Sequence, residues 1–107
     1  MQKIPKTFNK NGLCHELIKR EGNIALYIQS FIEGGTSGYE IHKVVISTPT
    51  NAKYEQPDGT IKVVEYPAKE KLASNEEFGR YGWSCLTLAQ AQKLFDEKVK
   101  LEKENDK

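Results

Sequence analysis

The chain has 107 residues, 37% hydrophobic and 29% charged, with 16 Lys and Arg against 15 Asp and Glu. That length holds one domain around a modest core, and a net charge of +1 argues against gripping nucleic acid or anionic lipid by bulk charge. No apolar run reaches the roughly 18 residues of a membrane span, and the opening MQKIPKTFNKNG lacks an apolar signal core, so a cytoplasmic protein with no membrane partner is expected.

Residues 1–12 are polar, with Lys at 3, 6 and 10, and read as a flexible N-terminal segment in which Ile4 and Phe8 are equipped to dock. Asn11-Gly12 is a turn signal. Residues 13–20 (LCHELIKR) alternate as a strand, with Leu13, His15, Leu17 and Lys19 on one face and Cys14, Glu16 and Ile18 on the other. After the short turn Glu21-Gly22-Asn23, residues 24–33 (IALYIQSFIE) give the strongest strand signal, and the two runs read as a hairpin. Ile24, Leu26, Ile28, Ser30 and Ile32 share one face; Tyr27 and Phe31 lie on the other. Residues 34–38 (GGTSG) form a loop, and residues 39–47 (YEIHKVVIS) the next strand. Pro57-Asp58-Gly59 is a turn in which Pro presets φ and Gly takes φ > 0, joining residues 53–55 to residues 60–66 as a second hairpin. Residues 67–77 read as a charged surface loop.

Residues 74–99 are the organising stretch. Residues 78–85 read as an aromatic-glycine strand, with Tyr81, Trp83 and Cys85 alternating with Arg80, Gly82 and Ser84. Thr87-Leu88-Ala89-Gln90 matches a capping box, with Thr87 at the N-cap. The helix that follows is expected to bury Leu88, Ala91, Leu94, Phe95 and Val99. Residues 101–107 are nearly all charged and read as a frayed C-terminus. The sum is one α+β domain over residues 13–100: an antiparallel meander of four to six strands with one C-terminal amphipathic helix packed on one face. One helix leaves the other face open, so Tyr27 and Phe31, joined by the corner residues Phe78, Arg80, Tyr81 and Trp83, are the candidate interaction surface.

No catalytic, cofactor-binding or metal-binding set emerges. Cys14 and His15 are adjacent on a strand and point to opposite faces, and His42 and Cys85 lack the paired spacing of a zinc site. The two cysteines, far apart in sequence, read as reduced thiols. Cys85, just ahead of the helix N-cap, is the one residue placed for thiol chemistry. It is also the apolar third member of the Tyr81-Trp83 face, and buried structural Cys is the commoner case. The loop at residues 34–38 lacks the Lys of a phosphate loop and leads into a strand. A sheet surface of aromatics with Lys43, Lys62 and Arg80 would suit single-stranded nucleic acid, disfavoured by the near-neutral charge.

Tyr66-Pro67, then Asn75-Glu76-Glu77-Phe78-Gly79, then Gly82-Trp83, then Thr87-Leu88 with Ala91 form a pattern over the last third of the chain. It resembles small proteins encoded by bacteriophages and mobile elements. The resemblance implies a phage-type origin, a host-cytoplasmic setting and a similar strand-to-helix corner, and it carries no activity. The expectation is therefore a small non-enzymatic accessory protein acting by protein–protein contact, with self-association through an edge or the open sheet face as one form of it.

Overall fold

In a computed structural model, which describes residues 1–105, the elements run β1 (Thr7–Lys10), β2 (Leu13–Glu21), β3 (Ile24–Phe31), β4 (Thr36–Lys43), β5 (Val45–Ile46), β6 (Thr50–Glu55), β7 (Ile61–Tyr66), β8 (Glu70–Lys71), a 3-10 turn (Asn75–Glu77), β9 (Gly82–Cys85) and α1 (Leu88–Asn105). Five strands form one antiparallel sheet in the order β1-β2-β3-β4-β9, and α1 packs on it, so the fold is α+β as the sequence predicts. Residues 106–107 of the expected frayed terminus lie outside the described residues; residues 101–105 continue α1.

Asn11 and Gly12 both take positive φ, 55° and 77°, the pairing that a tight β1–β2 hairpin requires. The expected flexible segment therefore contains an edge strand, with Phe8 opposite His15. A β-bulge between Leu17 and Lys19 corrects the predicted alternation of β2. Ile18 becomes the extra residue and is 45% exposed. Lys19 then crosses to the helix face, with its ammonium 4.6 Å over the Phe95 ring, and Arg20 turns to the opposite face.

The helix-side core is Ile24, Leu26 and Ile41 from the sheet against Ala91, Phe95 and Val99 from α1. The Thr87 hydroxyl accepts the Gln90 N–H at 3.2 Å, so the Thr87 half of the predicted capping box forms. Leu88, expected in the core, is half exposed, because it lies in the first turn, ahead of the Ala91-Phe95-Val99 stripe that meets the sheet.

The other face of the sheet is not open. Ile4, Ala25, Tyr27 and Val44 form a second core, with Phe8, Leu17 and Leu72 against it. Its cover comes from the N-terminal residues and from residues 67–77, which are not a surface loop. Glu70 joins these two segments to the sheet. Its carboxylate takes a bidentate pair from Arg20 at 2.7 and 2.7 Å, and accepts the Ile4 N–H at 3.2 Å. The Arg20 bonds, helped by the Ile4 N–H, pull the Glu70 carboxyl from its ordinary 4.5 down to about 2.

One part of the chain stands apart. β6 and β7 pair only with each other and make no substantial packing contact with any other element. The chain measures 58 × 44 × 22 Å, with a radius of gyration of 17.3 Å, against about 13 Å for a compact chain of this length. The second hairpin is thus an arm of about 20 Å.

Candidate interaction surface

The six residues singled out from sequence do not form one surface. Tyr27 is fully buried. Its hydroxyl donates to the Pro5 carbonyl at 2.6 Å, and its ring meets Phe8 and His42 edge-on at 5.3 and 5.7 Å. Burial pushes the Tyr27 phenol up to about 12. Phe78 is half-buried and roofs the same layer, 5.5 Å from the His42 ring. Its ring lies so close to Gly82 that a Cβ there would fall 2.1 Å from two ring carbons, which is why β9 opens on glycine. Phe31 is exposed at the far end of β3, beside exposed Ile32. Arg80, Tyr81 and Trp83 stay together at the β9 corner. Arg80 sits 5.3 Å over the Tyr81 ring, and half-buried Trp83 carries Lys98 at 4.1 Å.

Beneath Phe8 and Phe78 lies a polar layer that sequence patterning missed. His15, Glu40 and His42 are buried there with half-buried Gln29. The Ala73 N–H donates to His42 Nδ1 at 3.2 Å, which places the His42 proton on Nε2, where it donates to Glu40 Oε1 at 3.0 Å. Gln29 Nε2 donates to Glu40 Oε2 at 2.7 Å and lies 3.0 Å from His15 Nε2, which accepts its second proton. Both histidine Nε2 atoms are thereby occupied inside the network, and neither offers a lone pair to a metal. Among the described residues, no group of three His, Cys, Asp or Glu side chains could hold a metal ion. The signal was present in the register: Gln29 faces His15 across β2–β3, and Glu40 and His42 share a face of β4 with Tyr27's side of the sheet.

Cys14 and Cys85 are both free. Cys85 lies on the helix face, and the sheet separates it from both histidines. Burial raises its thiol pKa, the opposite of what a thiolate nucleophile needs.

The arm gathers several exposed apolar side chains on one element. Ile61 is 66% exposed, Val63 54%, Tyr54 47% and Tyr66 46%. One face carries Tyr54, Ala52, Val64 and Tyr66, the other Ile61 and Val63 among Lys53, Glu55 and Glu65. The Tyr54 and Tyr66 hydroxyls meet at 3.0 Å, which raises the Tyr66 pKa and stiffens the face. Sequence patterning finds this hairpin but not its detachment. The molecule is thus a one-helix antiparallel α+β domain carrying a two-stranded arm. The chain matches no protein-family model, no curated protein and no solved structure.

Proposed function

We propose that the protein is a small accessory protein, of the phage type that residues 66–95 resemble, and that it acts by protein–protein contact through the β6–β7 arm. The observation that carries this is the arm's lack of support. A two-stranded hairpin is marginal in water unless a third strand or a packing surface joins it. This one exposes apolar side chains on both faces and leaves two strand edges unpaired, a template for a partner's backbone as well as its side chains. Its charge favours protein over nucleic acid. Residues 50–66 hold two Lys against Glu55, Asp58 and Glu65, and the tip itself is acidic.

The test is site-specific photocrosslinking in cells. A photoreactive phenylalanine analogue at Val63 or Tyr66 is expected to give protein adducts, and the same group at exposed Lys93 on α1 none. Light scattering of the purified chain at two concentrations then distinguishes a second copy from another protein as the captured partner. Arm positions that yield no more adduct than Lys93 would sink the proposal.

A further inference from the structure

We propose that a cavity between β4, the β9 corner and the C-terminal half of α1 binds a small sugar phosphomonoester, independently of the arm. The cavity encloses about 180 Å³ and is lined by Lys43, Arg80, Lys98, Trp83, Leu101 and Glu102. Three elements distant in sequence thus bring three cations to one concavity. Lys43 and Lys98 are half-buried, and among the described residues neither they nor Arg80 lies within ion-pair distance of a carboxylate. Half-buried cations that make no ion pair are costly, since their desolvation is poorly compensated. Two of the three cations rest on aromatic rings, Lys98 on Trp83 and exposed Arg80 on Tyr81. Such contacts are weak holds compared with a phosphate, which accepts charge-assisted hydrogen bonds from all three.

Glu102 decides what else the ligand carries. One of its oxygens accepts the Asn23 N–H at 2.9 Å. The other is closed to solvent and has no hydrogen-bond partner among the described residues. A carboxylate on the wall repels a bare phosphate and accepts from a ligand hydroxyl, which favours a phosphate that also carries hydroxyls. Trp83 and Leu101 add apolar wall for a sugar ring. The volume falls below the roughly 300–1,000 Å³ of sites for drug-sized ligands, so a sugar phosphate suits it and a whole cofactor does not. The same chemistry occurs in a free sugar phosphate and at the 5′-phosphorylated end of a nucleic-acid strand.

Trp83 is the single tryptophan of the chain, so its fluorescence reports on this cavity and on the core beside it. The full chain is titrated at low salt with ribose 5-phosphate, ribose, inorganic phosphate, and a short single strand with either a 5′-phosphate or a 5′-hydroxyl. Ribose 5-phosphate is expected to saturate the signal, with ribose and inorganic phosphate each at least about tenfold weaker. Lys43→Gln and the exposed-site variant Arg80→Gln should each weaken it about tenfold. Glu102→Gln should narrow the preference for ribose 5-phosphate over inorganic phosphate. If the 5′-phosphorylated strand binds tighter than ribose 5-phosphate, the strand end is the source; if it does not, the free sugar phosphate is. No saturation by any phosphomonoester below about 10 mM, or saturation unchanged in both Lys43→Gln and Arg80→Gln, overturns the proposal.

Discussion

β3 and β7 are both rich in β-branched and aromatic residues, yet they are held in place by different things. β3 is sandwiched. Ile24 and Leu26 lie under α1, while Ala25 and Tyr27 lie under the N-terminal segment, all nearly or fully buried. β7 has one strand beside it and no packed layer on either side, and Ile61, Val63 and Tyr66 face solvent. The comparison separates two ways of making a strand. β3 follows from burial at ~25 cal/mol per Å² of apolar surface. β7 follows from local chemistry: Pro57-Asp58-Gly59 with Gly59 at φ 86°, the Asp58 carboxylate accepting from both the N–H and the hydroxyl of Thr60, cross-strand pairs such as Ala52 with Val64, and the Tyr54–Tyr66 hydroxyl contact. The first kind carries the stability of the domain, and the second leaves surface for use.

The largest expected effect comes from breaking the sandwiched side. Phe95 is 2% exposed and sits where α1 meets β3 and β4. Phe95→Ala should cost about 3–5 kcal/mol, read as a lowered urea midpoint of the whole domain. A loss under about 1 kcal/mol would mean that the helix does not stabilise the sheet.

Next in size is Glu70, which joins the covers of the second face to the sheet. Glu70→Gln keeps the shape and removes the charge opposite Arg20, at a cost of about 2 kcal/mol. The pH dependence has a definite sign. The folded carboxyl titrates near 2 and the unfolded one near 4.5, so the unfolded state binds the proton more tightly. The stabilisation is therefore full above pH 4.5 and is lost as the pH falls from 4.5 toward 2. Urea unfolding across that window should show a steeper loss for the natural chain than for Glu70→Gln. Parallel curves would mean that the Arg20–Glu70 pair is absent in solution.

The two regions also differ in how much of them can be seen in sequence. Turns are local, so Asn11-Gly12, Pro57-Asp58-Gly59 and the Thr87 cap all appear where the residues place them. The Ala91-Phe95-Val99 stripe needs only helical spacing. The covers of the second face are not local. Glu70 is buried because Arg20, fifty positions earlier, turns toward it, and Arg20 does so only because the bulge at Ile18 shifts the alternation. The alternation of β3 puts Tyr27 on the correct face, but nothing within the strand says that Ile4 and Leu72 come down over it. Arg80, Tyr81 and Trp83 stay together because they are neighbours in sequence. Lys43 and Lys98 join them only through the fold. The arm is the converse case: its hairpin is legible, and its separation from the sheet is decided by the absence of contacts that no local pattern records.

The smallest expected effect is also the sharpest contrast, because it uses one substitution in two places. Val→Thr keeps the β-branched shape and the strand preference, and adds a hydroxyl. Val44 is 4% exposed in the Ala25-Tyr27 layer, so Val44→Thr buries that hydroxyl and should cost about 1–3 kcal/mol. Val63 is 54% exposed on the arm, so Val63→Thr should stay within about 0.5 kcal/mol. Urea midpoints of the two variants, taken at two protein concentrations, complete the comparison. A cost at Val63 that matches Val44 and grows with concentration would mean that the arm is packed against a second copy in solution. A cost near zero at both concentrations, with crosslinks from Val63 retained in cells, would mean that the arm is bare until another protein covers it.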